Sequence, residues 1–371
     1  MSMGFCTYLL HANTFSERAE SGQLMALSTE LKKKYGIQSV IAYYKNSPAN
    51  NEKRIAEARR SGLELYPYSS GTELRKFASR QNVDLSFVTT DGSVRGVQYC
   101  REEPKRYRLG DSVHVNHVVF RHFSPHGDFY LYVSDWLFNW SKSRRFLTPR
   151  LSGSKDVFVA SLPHGMSNKH DLNFDLRKRV GIPQEGFVIG RIGGYENYDD
   201  SAAQCAILKI LRAHPHVYFL AVNTRNFGDH PQIIYLDYLD REDISEFYQA
   251  CDLLINGRLM GESFGFSIAE PLAHGKPILA PHWLRNPQMD RNHIQMLSGL
   301  GLLYKSEGDL TRRIQAFISG RQISAFELQS RVSSFSVSRM AAQLFQIQKI
   351  HSQSNKSELM MLDGYFAKSV I

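Results

Sequence analysis

Short apolar runs alternate with amphipathic stretches along the first 160 residues of the chain. The runs FCTYLL, SVIAYY and LELYPY are typical of β-strands, and helical patterns at residues 17–35 and 52–60 lie between them. A helix between two strands returns the chain to the same end of a sheet, so the strands align in parallel. This half therefore predicts an open, mostly parallel α/β sheet. Further strand patterns occur at residues 83–89, 113–120, 129–133 and 156–162.

The same alternation returns in the second half. Strand patterns occur in FVIGRI, VYFLAV, IIYL, DLLI and PILA. Helical patterns lie near residues 201–214 and 241–250 and after Gly265, and residues 334–349 resemble a long terminal helix. The second half therefore predicts another α/β sheet that is followed by a helix.

A polar stretch, SLPHGMSNKHDLN, separates the two halves. The 371 residues suffice for two domains of ordinary size. We therefore expect α/β domains at residues 1–163 and 164–334, followed by a C-terminal helix and tail at 335–371.

Lysine and arginine are concentrated in the first half. Residues 1–160 carry 23 Lys and Arg against 15 Asp and Glu, which accounts for eight of the nine net positive charges. Such asymmetry marks a surface for anionic partners, such as phosphorylated molecules, acidic lipid headgroups or nucleic acid. A solvated surface without a specific partner is the alternative.

The sequence shows neither a membrane span nor a secretory signal. No apolar run approaches the roughly 20 residues that cross a bilayer, and the start lacks a basic segment and a cleavage site. The four cysteines form no C-x2-C spacing, which is typical of free thiols in a reducing compartment. We expect a cytoplasmic protein.

A glycine-rich loop follows the strand FVIGRI. Arg191, Gly193 and Gly194 stand ahead of a predicted helix. Glycines let a phosphate approach the backbone, and a guanidinium is a permanently charged, forked donor for phosphate. The spacing matches neither G-x-G-x-x-G nor a P-loop. Taken alone, the loop is either a phosphate site or a glycine turn beside a surface arginine.

Two glutamates, Glu262 and Glu270, lie eight positions apart in RLMGESFGFSIAEPLAHGKP. A pair at this spacing arises readily by chance, so the surrounding pattern carries the information. A buried-type strand, a loop with Gly261 and Gly265, a helix, Gly275 and another strand follow one another. Open α/β sheets bind ligands in loops at the carboxyl ends of their strands, which makes this loop a candidate site.

This segment resembles the E-x7-E region of GT-B glycosyltransferases, chiefly the retaining enzymes of family 4. The family has EGFGL, then EAMA, then G-PV, and here ESFGF begins at Glu262, EPLA at Glu270 and GKPI at Gly275. The resemblance covers residues 186–305, whereas the first half is similar only in architecture and lacks the family's Gly-Gly loop. It implies two Rossmann-like α/β/α domains facing each other across a cleft, with the C-terminal helix crossing back to the first.

The resemblance also implies roles for individual residues of the E-x7-E segment. Glu262 would contact the donor sugar and act in catalysis, and Glu270 would bind the ribose hydroxyls of the nucleotide. The residues Ser263, Phe264 and Gly265 would present backbone N–H groups to the sugar and phosphates.

The glycine loop lies where the family has an arginine and then a lysine that clamp the diphosphate. Arg191 matches the arginine, but Asn197 stands where the lysine is expected. Arg258 in the donor loop is either a substitute cation or a surface arginine. Pro271 replaces the usual alanine, and we expect it to remove a helix hydrogen bond or shift the helix start.

A histidine after a central strand of the first domain often contacts the donor sugar in this family. Among His114, His117, His122 and His126, we favour His117 at the end of DSVHVNHVVF as the catalytic candidate, with a structural role as the alternative. A metal cluster is disfavoured, because strand residues three apart face opposite sides of the sheet.

The chemistry implied is departure of a nucleoside diphosphate while positive charge develops at the anomeric carbon. Arg191, the loop N–H groups and the helix start after Glu262 would stabilise the leaving group without an obligatory metal. No D-x-D type carboxylate pair stands out, and the pair Asp199 and Asp200 lies where carboxylates cap a helix.

The resemblance therefore implies a hexosyltransferase that retains anomeric configuration and uses GDP-mannose or a UDP-sugar, with no further cofactor. We expect a glycan, lipid-linked or phosphorylated acceptor, peripheral contact with an anionic membrane surface, and no nucleic-acid partner. One alternative is a GT-B phosphorylase or sugar-nucleotide epimerase. Another is a non-catalytic nucleotide-sugar-binding protein, which the missing lysine favours.

Overall fold

The computed structural model describes residues 6–16, 19–143, 157–166, 175–237, 239, 243–286 and 289–352. These residues form two compact units. The first contains the described residues up to 166 together with 334–352, and the second contains those from 175 to 333. The predicted tail beyond residue 352 lies outside the described residues. No described helix is both long enough and apolar enough to cross a membrane.

Seven parallel strands form the sheet of the first unit, namely β1 (Thr7–Ala12), β2 (Gln38–Tyr44), β3 (Glu64–Tyr68), β4 (Leu85–Thr90), β5 (Val113–Val118), β6 (Phe129–Tyr132) and β7 (Phe158–Ser161). Their order is β3-β2-β1-β4-β5-β6-β7. Successive side chains of a strand face opposite sides of the sheet. Tyr8 and Leu10 of β1 therefore belong to one apolar core and Leu9 to another. The parallel α/β sheet predicted for this half is confirmed.

The described helices of this part of the chain are α1 (Ala19–Tyr35), α2 (Glu52–Arg60), α3 (Gly71–Arg80) and α4 (Asp135–Lys142). Short 3-10 turns occupy the connection from β4 to β5 at Val94–Gly96, Gln98–Cys100 and Pro104–Arg106. The start of α3 is capped from both directions. Ser70 Oγ accepts from the Glu73 backbone N–H, and the Glu73 carboxylate accepts from the Ser69 N–H. This reciprocal arrangement satisfies backbone donors that a helix start otherwise leaves unpaired.

Six parallel strands form the main sheet of the second unit, in the order β10-β9-β8-β11-β13-β15. These strands are β8 (Phe187–Ile192), β9 (Val217–Val222), β10 (Ile233–Leu236), β11 (Leu253–Ile255), β13 (Ile278–Pro281) and β15 (Leu303–Tyr304). A separate parallel ladder joins β12 (Gly261–Glu262) to β14 (Asp290–Arg291). The second predicted α/β sheet is therefore confirmed as well.

Helices connect these strands, namely α5 (Leu176–Arg179), α6 (Ser201–Ala213), α7 (Ile244–Ala250), α8 (Phe266–Ala273), α9 (Asn292–Leu297), α10 (Glu307–Ile318) and α11 (Ala325–Ser330). Helix α6 shows why they form. Ala203, Ala206, Ile207 and Ile210 are buried, at the three- and four-residue spacing of one helical face. Asp200 caps this helix by accepting from the Ala202 N–H, as its position in the sequence predicts.

The final described helix, α12 (Val337–Ser352), belongs to the first unit, although the 166 residues of the second unit (168–333) separate it along the chain from the earlier part of the first unit. It packs against α1, and its side chains Met340, Ala341, Leu344 and Ile347 are at most 1% exposed. The same apolar core contains Leu24 and Leu31 of α1. The predicted return of the C-terminal helix to the first domain is therefore confirmed.

We expect Ile347→Val to lower the free energy of unfolding of the first unit by about 1 kcal/mol, because it removes one buried methylene. Ile350→Val is the matched control, since Ile350 is only partly buried at the edge of the same core. Hydrogen exchange should accelerate at the amides of β1 and β2 in Ile347→Val. Equal acceleration in β8 and β9 would contradict the assignment of α12 to the first unit.

Candidate functional site

The connections of the second sheet reverse direction at β8. The chain runs from β8 to β9 and β10 on one side, then crosses over to β11 on the other side of β8. Loops that leave adjacent strands at such a switch point diverge and open a crevice at their carboxyl ends, where α/β proteins bind ligands. The glycine loop follows β8 and the loop before Glu262 follows β11, so both predicted loops border this crevice.

Arg191 lies inside the protein at the end of β8 and is only 2% exposed. Its Nη1 donates to Thr224 Oγ1 at 3.0 Å, and its Nη2 donates to the Gly194 carbonyl at 3.2 Å. Asn223 Nδ2 donates to the Gly193 carbonyl at 2.9 Å. Arg191 and Asn223 thus hold the two glycines of the loop in place. The alternative of a surface arginine is wrong, because the Arg191 side chain is buried.

Among the described residues, no carboxylate forms an ion pair with the buried Arg191 guanidinium, and its Nε has no hydrogen-bond partner. Its carbon lies 5.6 Å from the centre of the Tyr198 ring, which supplies a cation–π contact. Burial lowers the pKa of Arg191 to about 10, while Tyr198 and Glu262 oppose that shift. The side chain therefore remains a cation at neutral pH and places a desolvated positive charge under the glycine loop.

Hydrogen bonds join the two loops of the crevice. Asp199 Oδ1 accepts from the Leu259 N–H at 2.9 Å, and the Gly257 carbonyl accepts from the Asp200 N–H at 3.2 Å. Asp200 Oδ2 also accepts from the Tyr304 hydroxyl at 2.7 Å. The Asp199 carboxylate and the Asp200 backbone N–H therefore both link the glycine loop to the loop that follows β11.

Glu262 is held by three side chains on the β11 side of the crevice. Its Oε2 accepts from Arg258 Nη1 at 2.9 Å, and its Oε1 accepts from Asn256 Nδ2 and Ser267 Oγ, both at 3.2 Å. The Glu262 side chain is 8% exposed and that of Arg258 is 30% exposed. The arrangement fixes the carboxylate beside a cation that reaches solvent.

The residues between the two glutamates form the start of α8. Gly265 is the N-cap residue, and its carbonyl accepts from the N–H groups of Ile268 and Ala269. Phe264 is buried, and its carbonyl accepts from Asn292 Nδ2 at 2.7 Å. Ser263 is partly exposed at the turn before the helix.

Pro271 lies inside α8, which starts five residues earlier at Phe266. Proline has no N–H group, so the ring removes one backbone hydrogen bond from the helix without setting its start.

Glu270 lies one helical turn into α8 and is partly exposed. Its Oε2 accepts from the Tyr248 hydroxyl at 2.8 Å. Burial raises the pKa of Tyr248 far above its ordinary value, so the hydroxyl stays protonated and donates this bond at neutral pH. Tyr248 thereby orients the Glu270 carboxylate.

No family model matches the sequence, and no curated protein matches it either. Solved structures do match. A glycosyltransferase from Rickettsia africae superimposes with a TM-score of 0.64 at 13% identity, covering 93% of this chain and 98% of that one. A sucrose-phosphate synthase from Thermosynechococcus elongatus superimposes with a TM-score of 0.66 at 13% identity, covering 94% of this chain and 100% of that one. For Anabaena HepE in complex with UDP and glucose it is 0.65 at 14% identity, with 92% and 98% covered.

The chain has the GT-B fold. The expected fold class is therefore confirmed. At these identities the likeness concerns the fold alone, and it agrees with the parallel sheets of seven and six strands described above.

The first unit of the GT-B fold holds His117, the predicted catalytic histidine. The ring is 0% exposed, and its Nε2 lies 2.7 Å from the Leu162 carbonyl. Burial lowers the pKa of His117 to about 4, so the ring is neutral at pH 7 and donates to that carbonyl from Nε2. It also packs edge-on against His164. This placement gives His117 a structural role within the unit, and its catalytic role stays a prediction without support from this geometry.

Three further side chains contact the predicted site residues, although the sequence analysis did not predict them, namely Asn256, Ser267 and Tyr248. Asn256 had a signal, since it is the polar residue that directly follows a buried strand. Tyr248 had no such signal, because it lies 22 positions before Glu270 in the sequence and only the fold brings the two side chains together. Among the described residues, no group of three or more His, Cys, Asp or Glu side chains is arranged to hold a metal ion.

Proposed function

We propose that this chain is a glycosyltransferase of the E-x7-E type that transfers a hexose from a nucleotide-sugar, either GDP-mannose or a UDP-sugar. The observation that carries this proposal is the crevice of the second unit. Arg191, Arg258 and Glu262 border adjacent loops at the switch point of a GT-B sheet, and Glu270 follows in α8. Arg191 is a buried cation without a direct carboxylate partner among the described residues.

In the proposed reaction the bond between the anomeric carbon and the diphosphate breaks, and the acceptor oxygen takes its place. Positively charged groups near the leaving phosphates lower the barrier, because negative charge grows there in the transition state. Arg191 supplies a fixed charge beneath the Gly193–Gly194 loop, and Arg258 supplies a second from a partly exposed position. We propose that the two replace the arginine and lysine clamp of the family, with Arg258 in place of the missing lysine.

Glu270 binds the ribose hydroxyls in this proposal, and Tyr248 keeps its carboxylate in the required orientation. Backbone N–H groups of Ser263, Phe264 and Gly265 face the sugar and phosphates. We further propose retention of anomeric configuration and no obligatory metal, because the arginines and backbone donors supply the charge stabilisation. The acceptor is a glycan, lipid-linked or phosphorylated molecule, with peripheral contact between the basic first half and an anionic membrane surface.

Isothermal titration calorimetry with UDP, GDP and their sugars tests the nucleotide site. We expect Glu270→Ala to weaken nucleotide binding about tenfold, which is roughly 1.4 kcal/mol, because a charged acceptor of the ribose hydroxyls is lost. Glu185→Ala is the matched control, since Glu185 is exposed elsewhere in the same unit. Absence of binding by the unaltered protein at millimolar nucleotide would refute the proposal, as would equal affinity of the two variants.

The second candidate function is a nucleotide-sugar-binding protein without catalysis. The hydrogen bonds of Glu262 favour it, since Arg258, Asn256 and Ser267 already occupy both carboxylate oxygens. Mass spectrometry of mixtures with the bound nucleotide-sugar and a panel of acceptors separates the two functions. A transferase releases the nucleoside diphosphate and forms a glycoside, whereas a binding protein returns the nucleotide-sugar unchanged.

A further inference from the structure

One buried backbone N–H group in the candidate site has no acceptor. It belongs to Gly265, the N-cap residue of α8, which is itself buried. In the part of the chain that the structure describes, this N–H donates no hydrogen bond, although the Gly265 carbonyl accepts two. Buried backbone donors are nearly always paired, so an unpaired one within a candidate binding site points to an acceptor on the ligand.

The direction of this N–H is set by Asn292 at the start of α9. Asn292 Nδ2 donates to the Phe264 carbonyl at 2.7 Å, and that carbonyl belongs to the same peptide group as the Gly265 N–H. No described peptide bond is cis, so the carbonyl and the N–H of this group point in opposite directions. Asn292 therefore turns the Gly265 N–H away from itself.

Asn292 is buried, and the elements before and after it are fixed to the Glu262 loop. Strand β14, which ends at Arg291, pairs in parallel with β12, and Glu262 lies opposite Arg291 in this register. From α9, the Met296 side chain reaches within 3.4 Å of the place where a Cβ on Gly265 would lie. Contacts within the protein therefore hold Asn292 in place without a ligand.

Glycine is required at position 265 for two reasons. Its φ is +91°, a left-handed conformation that favours glycine, and an added Cβ would lie only 3.0 Å from the Cβ of Glu262. The N–H is therefore held beside the stem of Glu262. It also lies at the positive end of α8, whose first turn contains no acidic side chain. The potential at a helix start favours a charged oxygen over a neutral hydroxyl group as the acceptor.

We infer that the Gly265 N–H binds a phosphate oxygen of the nucleotide-sugar and that Asn292 is the positioning residue that directs it. The inference rests on the proposed function and deepens it, since it names one backbone donor for the diphosphate and adds a side chain outside the E-x7-E segment. Asn292 acts through the peptide group and does not contact the nucleotide-sugar. Its hydrogen bond to the carbonyl also polarises the peptide, which makes the N–H a stronger donor.

Isothermal titration calorimetry with UDP, GDP, uridine and guanosine tests the role of Asn292 on the full chain. Asn292→Ala should weaken binding of the nucleoside diphosphate about tenfold and binding of the nucleoside less than about twofold, because only the diphosphate uses the Gly265 N–H. A purely structural role would weaken both equally. Gln295→Ala is the matched control, since Gln295 carries an exposed amide on the same helix, and it should bind both ligands as the unaltered protein does.

NMR of the unaltered protein tests the Gly265 N–H directly and does not depend on the folding of a variant. Gly228 and Gly265 are the two glycines that follow a phenylalanine, so isotope labelling of the phenylalanine carbonyl carbon and the glycine nitrogen selects their amides. Gly228 is the internal reference, because its N–H already donates to Asn226 Oδ1. We expect saturating UDP or GDP to shift the Gly265 amide proton downfield by more than that of Gly228, and uridine or guanosine to leave it unchanged.

The possible outcomes separate this inference from the proposed function. If a nucleotide binds and the Gly265 amide proton does not move, the inference is wrong and the nucleotide site stands. The same holds if Asn292→Ala weakens the nucleoside diphosphate and the nucleoside equally, or weakens neither. If neither UDP nor GDP binds the unaltered protein, the inference and the proposed function are both wrong.

Discussion

Glu262→Gln should lower turnover about 100-fold while the affinity for the nucleotide-sugar changes by less than about threefold. Glutamine keeps the shape of the side chain and can still bond to Asn256 and Ser267. It removes the negative charge that we propose faces the donor sugar, and in that proposal the charge matters most when positive charge develops at the anomeric carbon. Release of the nucleoside diphosphate under saturating donor measures the effect.

Glu196→Gln is the control for this experiment, because Glu196 lies on the glycine loop and its side chain is 68% exposed. We expect it to retain the full turnover. If Glu262→Gln also retained full turnover, the proposed catalytic role of the Glu262 carboxylate would be wrong.

Gly261→Ala should lower the free energy of unfolding of the second unit by about 3 kcal/mol. Gly261 has a φ of +70°, a left-handed conformation that strains residues with a side chain. A Cβ there would also overlap the Asp290 carbonyl, which is rigid backbone of the neighbouring strand β14. Strain and overpacking each cost about 1–3 kcal/mol, so the two add to a large effect. Urea unfolding followed by circular dichroism measures it.

Gly308→Ala is the matched control in the same unit. Gly308 lies in α10, has no heavy atom within 4 Å of an added Cβ, and has no positive φ. We expect it to stabilise the protein by about 0.5 kcal/mol, because alanine loses less backbone freedom than glycine on helix formation. Equal effects of the two substitutions would show that β12 and β14 do not hold the loop as described.

Much of the fold was predictable from local patterns. The runs FVIGRI and VYFLAV are apolar for the length of a strand, and both are strands at the positions that the pattern indicates. Pairing order was not predictable in the same way. That β8 lies between β9 and β11 depends on packing among elements far apart in sequence, and the switch-point crevice exists only because of that order.

The sequence predicted which residues form the candidate site but not the contacts that surround them. The pattern singled out Arg191 and Glu262 as charged residues beside glycines, which is a property of neighbouring positions. Burial of Arg191 against Tyr198 and the engagement of Glu262 by Arg258 are tertiary contacts. Asn256 could have been found as a polar residue at a strand end, whereas the Tyr248 contact with Glu270 had no sequence signal.

The return of α12 to the first unit has a consequence for the order of events during synthesis. Residues up to 333, which complete the second unit, leave the ribosome before α12 does. The face of α1 that α12 covers stays exposed to water throughout that interval, although every strand of the first sheet has already emerged. The half of the molecule that is made first is therefore finished last, and its nascent form offers an apolar surface to chaperones while the other half is already able to fold.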